Sequence, residues 1–446
     1  MKKFFVSMGL AAAGTASLQA AYAPDLGPLS ASKIWNISAT LRGFYDDNYL
    51  TANTARSSYG FEVSPQLMLA VPLQQTELGL RNTYSMSYYQ DREQESQSPV
   101  DQSDQLDLWV DHAFTERWHA KVMDTFVVGQ EPQLLNPSGA SASLPFRVSG
   151  DNIVNTGTIA LNTDWTRLFS TSLNYQNSFY DYRNSGATET DIFNNFLGVP
   201  GAAGASLAGL LDRIEQTVWL DLQWHVTPQT IVLIGGQFEV INYTGNEPIA
   251  YSIPLGVQTG NPYYFSDNRD ERQYTGYVGF QHNFLPNLSA VGKVGVTYAD
   301  PYNDPLSSTS IAPYAILSII YTYLPGSYVQ LGVNQSRNAT DVVSPSLNSG
   351  KITQDQDSTY VYGSINHQIT SKLLATLIGS WQNSTFQEGA FNGVSDSFYS
   401  LGLNLAYTFN PHISAEIGYN FDDLQSDLVQ RGYTRNRVYI GVTAAY

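Results

Sequence analysis

The sequence contains no cysteine in 446 residues. A disulfide framework and a thiolate metal site are therefore excluded, and the chain suits passage through an oxidising compartment. Charge is scarce as well: 14% of residues are Asp, Glu, Lys or Arg, against the ~25% usual for soluble domains. The balance is acidic, with a formal net charge of −17. So few basic groups leave little to neutralise phosphates, and no nucleic-acid partner is expected. Long apolar runs are missing too; nothing after the first residues approaches the ~20 that a membrane-spanning helix needs. Yet hydrophobic residues reach 42%, with 30 Tyr, 20 Phe and 35 Gly. Apolar residues must then be dispersed in alternation.

The chain starts "MKKFFVSMGLAAAGTASLQAAYA". Lys2 and Lys3 form a basic head, Phe4 to Ala13 an apolar stretch, and small residues follow, as in a secretory signal peptide. The expected peptide is 1–20, with a cut after Ala23 as the alternative.

From residue 36 to 446 the dominant signal is period two. In "YSLGLNLAYTF" the residues Leu401, Leu403, Leu405, Tyr407 and Phe409 share one face, opposite Ser400, Gly402, Asn404, Ala406 and Thr408. Segments of ~10 residues with one apolar and one polar face predict a transmembrane antiparallel β-barrel. Turn chemistry marks eight short connections, at 72–76, 115–117, 162–164, 227–229, 285–287, 325–327, 370–371 and 410–412. Longer polar connections lie near 47–57, 90–104, 129–149, 181–212, 243–271, 299–309, 338–356, 386–396 and 423–432. The alternation predicts about 18 strands, with short turns and both mature termini in the periplasm and long loops outside. The last segment, "RVYIGVTAAY", is expected to close the barrel on "NISATLRGFY" (36–45), leaving no edge. Tyr446 would then sit in the periplasmic aromatic girdle, where a terminal aromatic resembles the insertion signal read by the barrel-assembly machinery of bacterial outer membranes.

"FYDDNYLTA" (44–52) and "FEVSPQLMLAVPLQQTELGLRNTYSMSYYQDRE" (61–93) resemble the opening of a bacterial barrel family labelled putative beta-barrel porin 2. The shared features are the strand ending Tyr45-Asp46-Asp47-Asn48, the Ser-Pro-containing strand and the Pro-Leu turn. The resemblance implies an outer-membrane barrel, and some family members are associated with exopolysaccharide production and export, which makes a polysaccharide a partner to consider. The Asp-Asp-Asn cluster reads either as a cation site or, preferably, as hydrogen bonding within the first loop.

No catalytic constellation stands out. The six His, at 112, 119, 225, 282, 367 and 412, lack metal spacing and a nucleophile motif, so neither an enzyme, a metal nor a cofactor is expected. Read inward, the polar faces offer Arg42, Glu62, Glu77, Arg81, Asp107, Asp111, Asp221, Glu239, Lys293, Glu416 and Arg437 as lumen-lining candidates. They either set a transverse field that orients solutes or pair with one another. Segment 117–128 is ambiguous, because either phase points Lys121 or Asp124 outward. Phe44, Trp109, Trp219, Tyr314, Tyr360 and Tyr362 read inward; they offer sugar-stacking faces, although most barrel Tyr serve the girdles. In 185–216, Leu207, Leu210, Leu211 and Ile214 recur at helical spacing after a Gly/Ala-rich stretch. That loop is either a plug folded into the lumen or a strand extension with an external loop. Loop 243–272, with Asp267, Asp270 and Glu271, reads as a solvated loop ahead of a calcium or glycan site.

The expected function is passive passage of hydrophilic solutes across an outer membrane, with outer-membrane lipid as the surrounding partner. Two alternatives stand beside it: the outer-membrane conduit of an exopolysaccharide-secretion system, and a structural or adhesive barrel with a blocked lumen.

Overall fold

The computed structural model describes residues 34–92, 98–129, 151–199, 204–252 and 261–446. The signal-peptide segment 1–20 and the alternative cut after 23 lie outside them, as do most of the connection 129–149 and part of the Gly/Ala-rich stretch near 201.

Alternation becomes strand along almost the whole chain. The strands are β1 (Trp35–Asp46), β2 (Ser58–Pro72), β3 (Thr76–Tyr89), β4 (Val100–Ala113), β5 (Trp118–Gly129), β6 (Asn152–Asp164), β7 (Phe169–Tyr182), β8 (Arg213–Thr227) and β9 (Thr230–Tyr243). A small hairpin, β10 (Pro248–Tyr251) and β11 (Tyr263–Phe265), interrupts the series inside a long connection. The wall resumes with β12 (Glu271–Leu285), β13 (Leu288–Pro301), β14 (Ser310–Leu324), β15 (Ser327–Asn338), β16 (Thr353–Thr370), β17 (Leu373–Glu388), β18 (Ser395–Asn410), β19 (Ile413–Ser426) and β20 (Tyr433–Ala445).

All but the small hairpin form one 18-stranded sheet in which neighbours along the chain pair antiparallel. β20 also pairs with β1, from Ser38 opposite Ala445 to Asp46 opposite Arg437, so the sheet closes on itself. The Tyr446 N–H extends the seam by donating to the Ile37 carbonyl at 2.8 Å. Its ring leans on Trp35, with centroids 5.6 Å apart, and stacks on His412. Closure gives every strand a partner and removes the edge that a terminal strand would otherwise expose.

Because successive side chains alternate, each strand gives one face to the lumen and one to the outside. On β1, Ser38, Thr40, Arg42, Phe44 and Asp46 are buried within, whereas Ile37 and Leu41 are more than half exposed without. The ambiguity in β5 is resolved by its register. Lys121 faces inward opposite Asp111, and Asp124 faces outward opposite Leu108.

The expected turn at 162–164 lies instead at 165–168. Asn162 and Asp164 remain in the ladder, opposite Ser172 and Ser170. Thr166 makes the turn: its hydroxyl accepts the N–H groups of Leu168 (3.2 Å) and Phe169 (3.0 Å). A hydroxyl two residues from the backbone donor competes well for turn formation, and Trp165 is left free to join Trp118 at the barrel rim.

Candidate lumen and loop cap

The alternation and the registers set all eleven predicted lumen residues on the inner face, from Arg42 on β1 to Arg437 on β20. Most are paired. Arg42 reaches Glu416 on β19 through Nε at 2.6 Å and Glu62 on β2 through Nη1 at 3.0 Å. Arg437 meets the other oxygen of Glu62 at 3.1 Å and lies 3.9 Å above the Phe44 ring. Arg81 pairs with Asp107 at 3.1 Å, and Lys293 with Asp221 at 3.0 Å. Asp221 also accepts the Tyr277 hydroxyl at 2.7 Å.

The exceptions are all acidic. Glu77 accepts the Trp109 indole N–H at 3.3 Å, Glu239 accepts from Gln237 at 3.2 Å, and Asp111 stands between Glu77 and Lys121 in the register. Pairing therefore cancels most of the wall's charge and leaves a residue of negative potential.

Inward aromatics lie flat against the wall. The Trp109 ring covers Gly79 and the Tyr362 ring covers Gly332, so closely that a Cβ at either glycine would fall within 2.3 Å of the ring. Tyr360 and Tyr362 stack with centroids 5.5 Å apart, as do Tyr277 and Tyr314. The His residues sit elsewhere. His112, His225 and His282 bond to Thr76, Ser170 and Thr230 of adjacent strands near the short turns, His367 on β16 reaches Tyr323 on β14, and His412 lies in such a turn.

At the opposite end the long connections fold over the mouth. Connection 183–212 carries α1 (Glu189–Phe196) and α2 (Leu207–Leu211). Thr188 and Asp191 form a capping box on α1, which holds the Asp191 carboxyl below its ordinary range. The helix expected through Ile214 stops at Leu211, because Asp212 turns extended and Ile214 already belongs to β8. The Asp212 carboxylate takes the Tyr182 N–H at 2.7 Å, and Asp270 takes the Tyr243 N–H at 2.7 Å in the same way. Each thus ends a strand pair by replacing a ladder carbonyl. Burial raises both carboxyls to about 6.

Leu210 and Leu211 are buried in a cluster with Tyr182, Ile249, Tyr264, Ile352, Phe398, Leu424 and Tyr433. These residues come from β7 on one side and from β18, β19 and β20 on the other, so apolar contact bridges the mouth. Polar anchors hold it there. Arg269, 1% exposed, donates to the carbonyls of Leu210 (3.1 Å), Gln354 (3.0 Å) and Thr340. Glu247 accepts the Gly186 N–H at 2.8 Å and the Ser206 hydroxyl. Arg431 joins Asp341 at 2.8 Å and Asp396 at 2.7 Å. The described parts of loop 243–272, read as solvated, therefore act as a structural strut, with Glu271 pointing into the lumen from β12. The sequence gives no local sign of Arg269, since its acceptors lie as far as 85 residues away.

The Asp-Asp-Asn cluster does more than tie the first loop. Asp46 accepts the Arg435 guanidinium, Asp47 accepts both N–H groups of Asn436 (2.6 and 2.7 Å), and Asn48 bonds the carbonyls of Ala52 (2.8 Å) and Thr434 (3.0 Å). The last residue of β1 and the two that follow it thus clasp three consecutive residues of β20. Among the described residues no His, Cys, Asp or Glu group is arranged to hold a metal ion.

A closed barrel with an apolar outer face, a polar inner face and aromatic rims is a porin-like barrel of the outer-membrane type. Residues 260–446 match the model of the family described as putative beta-barrel porin 2; the resemblance read from 44–93 is thus met from the other end of the chain. No curated protein matches the sequence. Among solved structures, OccAB4 of Acinetobacter baumannii is 13% identical, with 93% of this chain and 99% of that one covered and a TM-score of 0.42. The outer membrane protein opdK of Pseudomonas aeruginosa is 8% identical over 92% and 99%, with a TM-score of 0.41. The siderophore receptor PirA of Pseudomonas aeruginosa is 10% identical over 92% and 80%, with a TM-score of 0.41.

Proposed function

We propose that this chain is a bacterial outer-membrane channel for passive diffusion of small hydrophilic solutes, narrowed at one mouth by its own loops. The observation that carries the reading is the closed 18-stranded wall with charge and amides inside. At that strand number a barrel holds an aqueous interior. Paired charges keep the wall solvated at little net potential, and the acids left over, Glu77 and Asp111, favour cations. No step of this process needs a catalytic group. Proteoliposome swelling tests it: vesicles carrying the protein should swell in isotonic solutions of small neutral solutes, and rates should fall steeply with solute size. Swelling no faster than in empty vesicles would remove the reading in favour of a structural or adhesive barrel.

A second reading is supported by the flat inward tyrosine pairs Tyr277–Tyr314 and Tyr360–Tyr362. Rings lying along a wall suit sugar faces, and a secreted polysaccharide would be the ligand. Block of the ion current by long oligosaccharides, but not by monosaccharides, would favour this cargo.

A further inference from the structure

A lipid-facing wall should be apolar. Over most of β18, β19, β20 and β1 it is: Leu403, Leu405, Ile417, Val438, Ile440, Val442, Ile37 and Leu41 all lie exposed on the outer face, and Asp423 and Asn436 join them only near the long-loop end. The sector from β3 to β7 departs from this. Register puts Asn82, Asp104, Asp124, Asn155 and Asn177 on the same outer face as the exposed Leu78, Leu108, Val122, Ile159 and Tyr175.

Four of these residues form two hydrogen-bonded pairs. The Asn82 amide donates to Asp104 at 2.7 Å, between β3 and β4. The Asn155 amide donates to both oxygens of Asp124, at 3.0 and 3.2 Å, between β6 and β5. Asn177 of β7 stands opposite Gly157 of β6. Asp124 is no rim residue: Val122 and Phe126 flank it along its own strand, and Leu108 faces it across the ladder. Beside it the surface is notched, since a Cβ added at Gly157 would meet the Asp124 carboxylate at 3.4 Å and no other group within 4 Å.

We infer that the outer face of β3 to β7 is an interface, within the membrane, between two copies of this chain. A charge exposed to hydrocarbon is destabilising in proportion to its depth, and neither carboxylate is bonded to a cation, so covering this sector removes an energetic conflict. A second copy covers it best because the patch is self-complementary. Its carboxylates Asp104 and Asp124 keep acceptor capacity beyond their bonds to Asn82 and Asn155, and Asn177 brings an amide donor, which is the condition for the same surface to meet itself across a two-fold axis. A foreign partner would instead have to bring basic groups into the bilayer.

The natural chain has no cysteine, so single cysteines report proximity cleanly. Val122→Cys and, as the control on the opposite sector, Leu403→Cys would be treated in native membranes with a flexible bifunctional maleimide. A linked product of twice the chain mass from Val122→Cys alone is expected. The paired variant Asp104→Leu with Asp124→Leu should keep its heat-modifiable barrel yet migrate as a single copy in lipid nanodiscs, where the unaltered protein migrates as two. The inference is overturned if Val122→Cys gives no linked pair or links no better than Leu403→Cys. It is equally overturned if the linked product contains a different protein, or if the unaltered protein is a single copy in nanodiscs.

Discussion

The two ends of the barrel are built by different means. The short-turn end is simple: two- to four-residue connections, aromatic rims such as Trp118 against Trp165, and histidines bonded to neighbouring hydroxyls. The long-loop end is a small polar and apolar core of its own. There, buried Arg269 gathers three carbonyls, Arg431 joins two aspartates, and Leu211 is fully buried. One end is held by the strand ladder and by side chains of neighbouring strands, the other by contacts between loops remote in sequence. The difference separates a permanent structural rim from an assembly that can be loosened without dismantling the wall.

The largest effect should come from that assembly. Arg269→Ala strands three buried carbonyls, each having lost a charge-assisted hydrogen bond worth ~1.5–3 kcal/mol. Hydrogen exchange at Leu210 and Leu211 should accelerate strongly, while amides of β13 and β14 keep their protection. Uniform acceleration over both would show that the cap and the wall are one cooperative unit.

Next comes the wall itself. Glu416→Gln breaks the shorter of the two ion pairs that Arg42 makes with Glu416 and Glu62, and both charges of the lost pair are almost fully buried. Breaking such a pair typically destabilises by about 3–5 kcal/mol. Urea unfolding followed by heat-modifiability should show a lower midpoint, with the cap amides no more affected than the rest.

A smaller effect concerns selectivity. Neutralising Glu77 and Asp111 together should move the reversal potential of the channel toward non-selectivity, most clearly at low salt, where the Debye length exceeds ~10 Å. Neutralising Asp107 and Asp221 instead should move it less, because each change uncovers a paired Arg81 or Lys293. The reverse ranking would contradict the pairing scheme.

The smallest effect is that of pH. Asp212 and Asp270 have carboxyls raised from 3.8 to about 6 by burial. Between those values the native loops hold protons that the unfolded chain has released, so cap stability falls as pH rises through the window and is flat above it. Current noise from cap opening should therefore be lower near pH 5 than near pH 7.5. Noise that grows on acidification would point to other groups.

Much of this architecture was legible in the chain. Period two located the strands, the alternation of short and long connections gave the count, and the terminal "RVYIGVTAAY" pointed to seam closure. These are local signals, and a barrel wall pairs mostly sequential neighbours. The turn at Thr166 was misplaced because Asn162 and Asp164 carry turn composition while sitting inside the ladder. The cap was only half legible. Helical spacing marked Leu207, Leu210 and Leu211, but their burial depends on Phe398, Leu424 and Tyr433, some 200 residues downstream. Arg269 and Arg431 sit in polar runs that read as solvated loops. The inward charges could be named from alternation, but their pairing follows from register, which a single sequence does not display.

The central claim is that a conducting barrel is narrowed by a removable loop assembly, and single-channel conductance in planar bilayers tests it most directly. The unaltered protein should conduct with a modest cation preference. A variant with 187–210 replaced by a short Gly-Ser linker should conduct roughly twofold more or better, as expected when a lumen is freed of a plugging loop. Equal conductance in the two proteins, or silence in both, would contradict the account.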